Sequence, residues 1–213
     1  MLKTKIKASQ ITNLTDARYF AAWDVRWLGF CLDANTDYFM PPPNVAAIKE
    51  WVEGPKIVGE FGLQTAEEIR ALVDTLELDA IQVGMLVGED VLEKLDGISI
   101  FKEIVLENLD AMSSDIDFHL DKFEAYVDTF ILVFDKNKLP FSDWTPTNIA
   151  YLADICTKKN IILAMDVVPT ELDELLEKIQ PLGLQVKGGE EEKVGFKSFD
   201  ELDDIFEALE TFE

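Results

Sequence analysis

Lys5-Ile-Lys-Ala-Ser-Gln-Ile-Thr-Asn-Leu-Thr-Asp-Ala-Arg18 is the stretch around which the rest of the chain is organised. Residues 5–8 read as a short strand, and Ser9 and Gln10 leave its end. Asn13 or Thr15 can cap a helix beginning near Asp16, because a short side-chain oxygen accepts an orphan first-turn N–H. Strand, polar turn and helix make the first half of a βα unit. In barrels built from such units the chemistry sits where strands hand over to helices. Ser9 and Gln10 occupy the first handover.

Outward from that unit the chain keeps alternating. Strands are expected at 27–32, 56–61, 80–83, 100–106, 129–134, 161–164 and 184–187. Pro43 can open a helix running to Trp51 and Val52, since its missing N–H costs nothing in a first turn. Thr65 and Glu68 have capping-box spacing, as do Ser198 and Glu201. The helix after Thr65 places Ile69, Leu72, Val73 and Leu76 on one face. A short helix covers 89–95, and Thr145-Pro146 opens another that buries Ile149, Leu152, Ala153 and Cys156. Thr170 starts a helix with Leu172, Leu175, Leu176 and Ile179 on its inner side. The last helix turns Phe199, Leu202, Ile205, Phe206, Leu209 and Phe212 inward. Residues 107–128 are the least regular, with a helical segment at 116–126. His119 lies there and reads as solvated surface, with no second His or Cys nearby to share a metal or act as nucleophile.

The strand runs are nearly continuous in apolar residues, which calls for a parallel sheet covered by helices. Eight such units favour a closed (β/α)8 TIM barrel over an open doubly wound sheet. With 213 residues, 48% of them hydrophobic, the chain can bury a sizeable core as one domain spanning 1–213. No Gly-x-Gly-x-x-Gly follows a strand and no phosphate-loop motif occurs, so no nucleotide cofactor is expected. The net charge of −23 argues against nucleic acid and anionic lipid as partners. No apolar run suits a signal peptide or a membrane span, and Cys31 and Cys156 read as small core residues. A reduced, cytoplasmic setting is expected.

The opening stretch resembles the start of the phosphoribosylanthranilate isomerases of tryptophan biosynthesis, which read KICGITN. Here Lys7-Ala8-Ser9-Gln10-Ile11-Thr12-Asn13 stand in that frame. Val58-Gly59-Glu60-Phe61 is similar to the family's VGVF, and Leu78-Asp79-Ala80-Ile81-Gln82 to its LDAVQ. Near the C-terminus, 185–191 and 195–198 fall into the register of DVSSGVE and GVKD, with Gly189, Glu191, Gly195 and Lys197 identical. The resemblance implies a cofactor-free Amadori rearrangement, in which proton transfer between carbons turns an aldose into a ketose. Such a reaction needs a base, an acid and a grip on phosphate.

The departures fall on those parts. The family's base, a Cys, falls on Ser9, and its Gly on Gln10. Asp135, ending the sixth strand, stands for the general acid. The carboxylate-binding arginine has Tyr38 as its nearest match. A Gly-Gly-Thr-Gly segment is missing around 139–142, and the Leu-His-Gly after LDAVQ reads Val83-Gly84-Met85. The Ala-Gly-Gly turn of the phosphate cradle reads Ala164-Met165-Asp166.

Gly188 and Gly189 could still offer backbone N–H groups to a phosphate. Asp166 would oppose it: at about 4 Å and an effective dielectric near 20, each pair of unit charges costs on the order of 4 kcal/mol. Charge-assisted hydrogen bonds of roughly 1.5–3 kcal/mol each barely offset that. Lys187 compensates if it points into the barrel mouth; alternatively it pairs with Glu60 inside the barrel. Asp33, Gln82, Glu107, Asp135 and Asp166 all stand near strand ends, but no spacing among them supports a metal site.

The chain is thus identified as a divergent member of the isomerase family, with Ser9 and Asp135 as catalytic positions. Gln82, Asp166, Lys187, Gly188 and Gly189 are its substrate or phosphate positions. One reading is a weakened or lost isomerase whose ligand is a small phosphorylated or carboxylated metabolite. The other is a non-catalytic barrel binding a metabolite or a protein partner.

Overall fold

The computed structural model describes residues 1–188, 191–193 and 196–211. Strands β1 (Lys5–Ser9), β2 (Trp27–Cys31), β3 (Lys56–Phe61), β4 (Ala80–Val83), β5 (Ile100–Val105), β6 (Thr129–Val133), β7 (Ile161–Ala164) and β8 (Gly183–Lys187) form a closed barrel in chain order. All neighbours are parallel, and β1 closes on β8 from Lys5↔Gly183 to Ser9↔Lys187. Helices α1 (Leu14–Ala22), α2 (Pro42–Lys49), α3 (Ala66–Leu76), α4 (Glu89–Leu92), α5 (Met112–Phe123), α6 (Pro146–Lys158), α7 (Leu172–Ile179) and α8 (Asp200–Leu209) follow the strands in turn. This is a (β/α)8 TIM barrel. The expected strands form, none of their ends moving by more than one residue.

Local chemistry explains most helix starts. Asn13 caps α1, its Oδ1 accepting from the Asp16 N–H at 2.8 Å. Thr65 and Glu68 form the expected capping box at α3, and Thr145 and Asn148 form one at α6. Ser198 and Glu201 do not: Phe199 is the N-cap of α8 and gives no side-chain cap, while Ser198 Oγ accepts from the Asp200 N–H at 3.3 Å. Helix α2 starts at Pro42 and stops at Lys49, short of the expected Val52, and α5 begins at Met112 rather than at 116. A small antiparallel pair, β9 (Glu191–Lys193) and β10 (Phe196–Lys197), lies between β8 and α8 and was not expected. Gly189, Gly195 and Phe212 lie outside the described residues.

Two apolar cores result. The larger fills the layer between barrel and helices, with Phe20, Phe30, Phe134 and Phe206 fully buried. The smaller is the barrel interior: Trp27, Val58, Ala80, Phe101, Ile131, Val133, Ile162 and Ala164. Trp27 meets Phe101 edge-on with centroids 5.5 Å apart. Residues of one strand alternate between these cores, so the inward positions above Trp27 are Gly29 and Cys31, and above Val58 is Glu60. Among the described residues, no helix is long and apolar enough to cross a membrane.

Candidate functional site

The apolar floor gives way to polar side chains toward the C-terminal strand ends. Lys7 is wholly buried, its Nζ 2.5 Å from Glu60 Oε1. Ser9 Oγ donates to the same oxygen at 2.6 Å, and the Gln10 N–H donates to Glu60 Oε2 at 3.3 Å. Gln82 Nε2 donates to Glu103 Oε1 at 2.8 Å, and Lys136 reaches Glu103 Oε2 at 3.1 Å. Lys187 Nζ lies 2.5 Å from Asp135 Oδ2. Ser9, Gln10, Cys31, Asp33, Tyr38, Glu60, Gln82, Glu103, Asp135, Lys136, Gln185 and Lys187 line one cavity of about 260 Å³. It opens at the barrel mouth, where this fold places its chemistry.

Gly29 is what makes room for the charged pair. A Cβ there would stand 2.0 Å from Glu60 Oε1 and 2.8 Å from Lys7 Nζ. Gln10 takes a left-handed backbone, φ +58°, at the position where the resembling family has glycine. A non-glycine residue there carries strain of order 1–2 kcal/mol.

The structure brings Ser9, Asp135, Gln82 and Lys187 into one cavity. Ser9 and Lys187 end β1 and β8, and Asp135 and Asp166 follow β6 and β7, so all four stand on the same rim. Asp166, however, is exposed to solvent and does not line the cavity. In water a unit charge pair at 4 Å costs about 1 kcal/mol, well below the buried-site figure. Lys187 pairs with Asp135, and Glu60 takes Lys7 as its partner; the Lys187–Glu60 alternative is not what forms. Gly188 uses its N–H on the Ser9 carbonyl at 3.3 Å, which ties β8 to β1. Tyr38, about half exposed, stands on the cavity wall, while Glu107 and Asp166 point to solvent. Among the described residues, no group of three His, Cys, Asp or Glu side chains is arranged to hold a metal ion. His119 lies on α5, away from the mouth, with Nδ1 2.7 Å from the Asp115 carbonyl.

Lys7, Glu103, Lys136 and Gln185 were not singled out from sequence. The signal for Lys7 was available, since it shares strand parity with Ser9.

A family model described as N-(5'phosphoribosyl)anthranilate (PRA) isomerase matches residues 6–208. Among solved structures, the phosphoribosyl anthranilate isomerase of Thermus thermophilus is 25% identical with a TM-score of 0.74, covering 97% of this chain and 98% of that one. The Thermotoga maritima isomerase is 18% identical with a TM-score of 0.75 over the same shares. Another isomerase structure, 18% identical with a TM-score of 0.75 and 97% and 98% of the two chains covered, holds reduced 1-(o-carboxyphenylamino)-1-deoxyribulose 5-phosphate. No curated protein matches by sequence. Since the family model covers nearly all of the barrel just described, this chain belongs to the N-(5'-phosphoribosyl)anthranilate isomerase family.

Proposed function

We propose that this family member binds a small molecule at its barrel mouth and carries out the family's aldose–ketose isomerisation far below ordinary enzyme rates. The observation that carries this reading is the 2.6 Å hydrogen bond from Ser9 Oγ to Glu60 Oε1. Ser9 stands where the resembling enzymes have a cysteine base. A thiol with pKa ~8.5 holds a few per cent thiolate near neutral pH, whereas a serine hydroxyl has essentially no alkoxide without a neighbouring base to take its proton. Glu60 is that neighbour, and it already accepts from Lys7 and from the Gln10 N–H.

The phosphate and carboxylate grips are weakened as well. Tyr38 stands in for the arginine, the Gly188 N–H is committed to Ser9, and Asp166 puts a charge on the rim. Loss of general-base catalysis alone lowers a rate ~10²–10⁴-fold. A fluorescence assay following loss of the anthranilate substrate tests the proposal. The native chain is expected well below ~1 per second, and Ser9→Cys is expected to recover part of the activity, with Tyr38 and Asp166 still in place. Native turnover within the ordinary range of ~1 to 10³ per second would overturn it.

A further inference from the structure

Among the described residues, three oxygen acceptors at the mouth are buried without a hydrogen-bond partner: Gln82 Oε1, Gln185 Oε1 and Asp135 Oδ1. Gln82 and Gln185 are only 5% and 6% exposed, and all three side chains line the same cavity. A buried acceptor left unpaired is costly and uncommon in folded proteins, so three around one cavity call for a cause. Gln82 Oε1 and Asp135 Oδ1 lack a donor, and so does Gln185 Oε1 as its amide is placed. Gln82 has its amide nitrogen on Glu103 at 2.8 Å, which assigns the free end of the amide as oxygen. Asp135 has its other oxygen on Lys187 at 2.5 Å.

Each lysine of the cavity and its floor holds one carboxylate. Lys7 pairs with Glu60, Lys136 with Glu103 and Lys187 with Asp135. A phosphate or carboxylate would bring further acceptors to the part of the cavity that these three oxygens line. At longer range the net charge of −23 repels it too.

We infer that the mouth is a binding site for a small, donor-rich molecule without anionic groups, a hydroxylated amine such as a free aminosugar. This rests on the mouth being a small-molecule site, as proposed above. Gln82 and Gln185 accept from ligand hydroxyls, and Asp135 accepts from the ammonium. The cavity of about 260 Å³ lies just under the ~300–1,000 Å³ of drug-sized sites, which suits a single sugar ring.

Isothermal titration calorimetry on the full chain, with glucosamine, ribose 5-phosphate and inorganic phosphate as probes, tests it. Glucosamine is expected to bind at least about tenfold more tightly than either phosphate compound. Gln185→Leu is expected to weaken glucosamine about tenfold while the thermal midpoint holds or rises, and Gln82→Leu to weaken it as much with a lower midpoint, since Glu103 loses its amide donor. If a leucine variant does not fold, Gln185→Glu serves instead, and its added carboxylate should tighten glucosamine binding. Tighter binding of ribose 5-phosphate, glucosamine binding indifferent to these substitutions, or no glucosamine heat at millimolar concentrations overturns the inference. Slow turnover in the anthranilate assay together with any of those outcomes leaves the proposed function standing, whereas fast turnover overturns that function whatever glucosamine does.

Discussion

Lys7 is fully enclosed by the barrel, and Glu60 is the carboxylate that answers its charge. The attraction within such a pair is about matched by the cost of taking both ions out of water. Removing one partner is another matter, because the survivor stays buried and uncompensated. Glu60→Leu is therefore expected to destabilise the fold by ~3–5 kcal/mol, and adding Lys7→Met should recover most of that loss. Urea denaturation of the two variants checks both; a single variant as stable as the native chain would show that Lys7 escapes to water. Residue identities alone did not yield this pair. A lysine in a strand reads as a surface residue, and Lys5 just before it is indeed exposed. Alternation was the available clue: Lys7 and Ser9 share the inner face, whereas Ile6 and Ala8 pack under the helices. Ser9 and Asp135 were legible because they stand at strand ends, where position along the chain fixes position on the rim. The partners of Lys187 and Glu60 were not, since they depend on how neighbouring strands are staggered around the barrel.

Strand β5 carries a second buried lysine, on its outer face. Lys102 Nζ donates to the carbonyls of Val87 at 2.8 Å and of Gly84 and Met85 at 3.3 Å, and sits 4.3 Å from the Phe123 ring centroid. It thereby holds the loop between β4 and α4 against α5. Burial, and next the nearby Lys122 ammonium, push its pKa down to about 8, with Glu103 pulling the other way. The sign follows from proton counts. Between about pH 8 and ~10.4 the unfolded chain binds more protons at this site than the folded one, so stability at this site rises with pH across that window. Below it the charged form is buried in full. The stability of the native chain relative to Lys102→Met should thus improve from pH 7 to pH 10, as read by urea midpoints at the two values. A constant difference would mean that Lys102 titrates like an exposed lysine.

The same scale shows what patterns convey and what they omit. Capping-box spacing occurs at Thr65/Glu68 and at Ser198/Glu201, yet only the first forms, because α8 takes Phe199 as its cap. Spacing supplies the reach; backbone angles at the cap decide whether it is used. The segment 107–128 was obscure because Met112, Ile116, Leu120 and Phe123 make a narrow apolar stripe between charged neighbours.

The whole molecule is legible where the strand and helix periods repeat, which is why the barrel could be drawn from alternation alone. The closing seam adds something that repetition does not. The Thr211 N–H and hydroxyl both donate to the Met1 carbonyl, at 2.9 and 2.7 Å, the Lys3 N–H donates to the Leu209 carbonyl at 2.8 Å, and Leu2 bridges Glu210. The two ends of the described chain are therefore stitched together on the rim opposite the cavity. A circular permutant follows from that. Joining the ends with a short glycine–serine linker and opening the chain at Gly97, an exposed turn residue with φ +84° ahead of β5, should give a protein with native-like circular dichroism and a cooperative melt. A molten or aggregated product would mean that β1 must be made before β8 for the ring to close. A cooperative one would make the order of synthesis a free variable, so that a reporter domain could be inserted at the Gly97 turn, far from the ligand it is meant to sense.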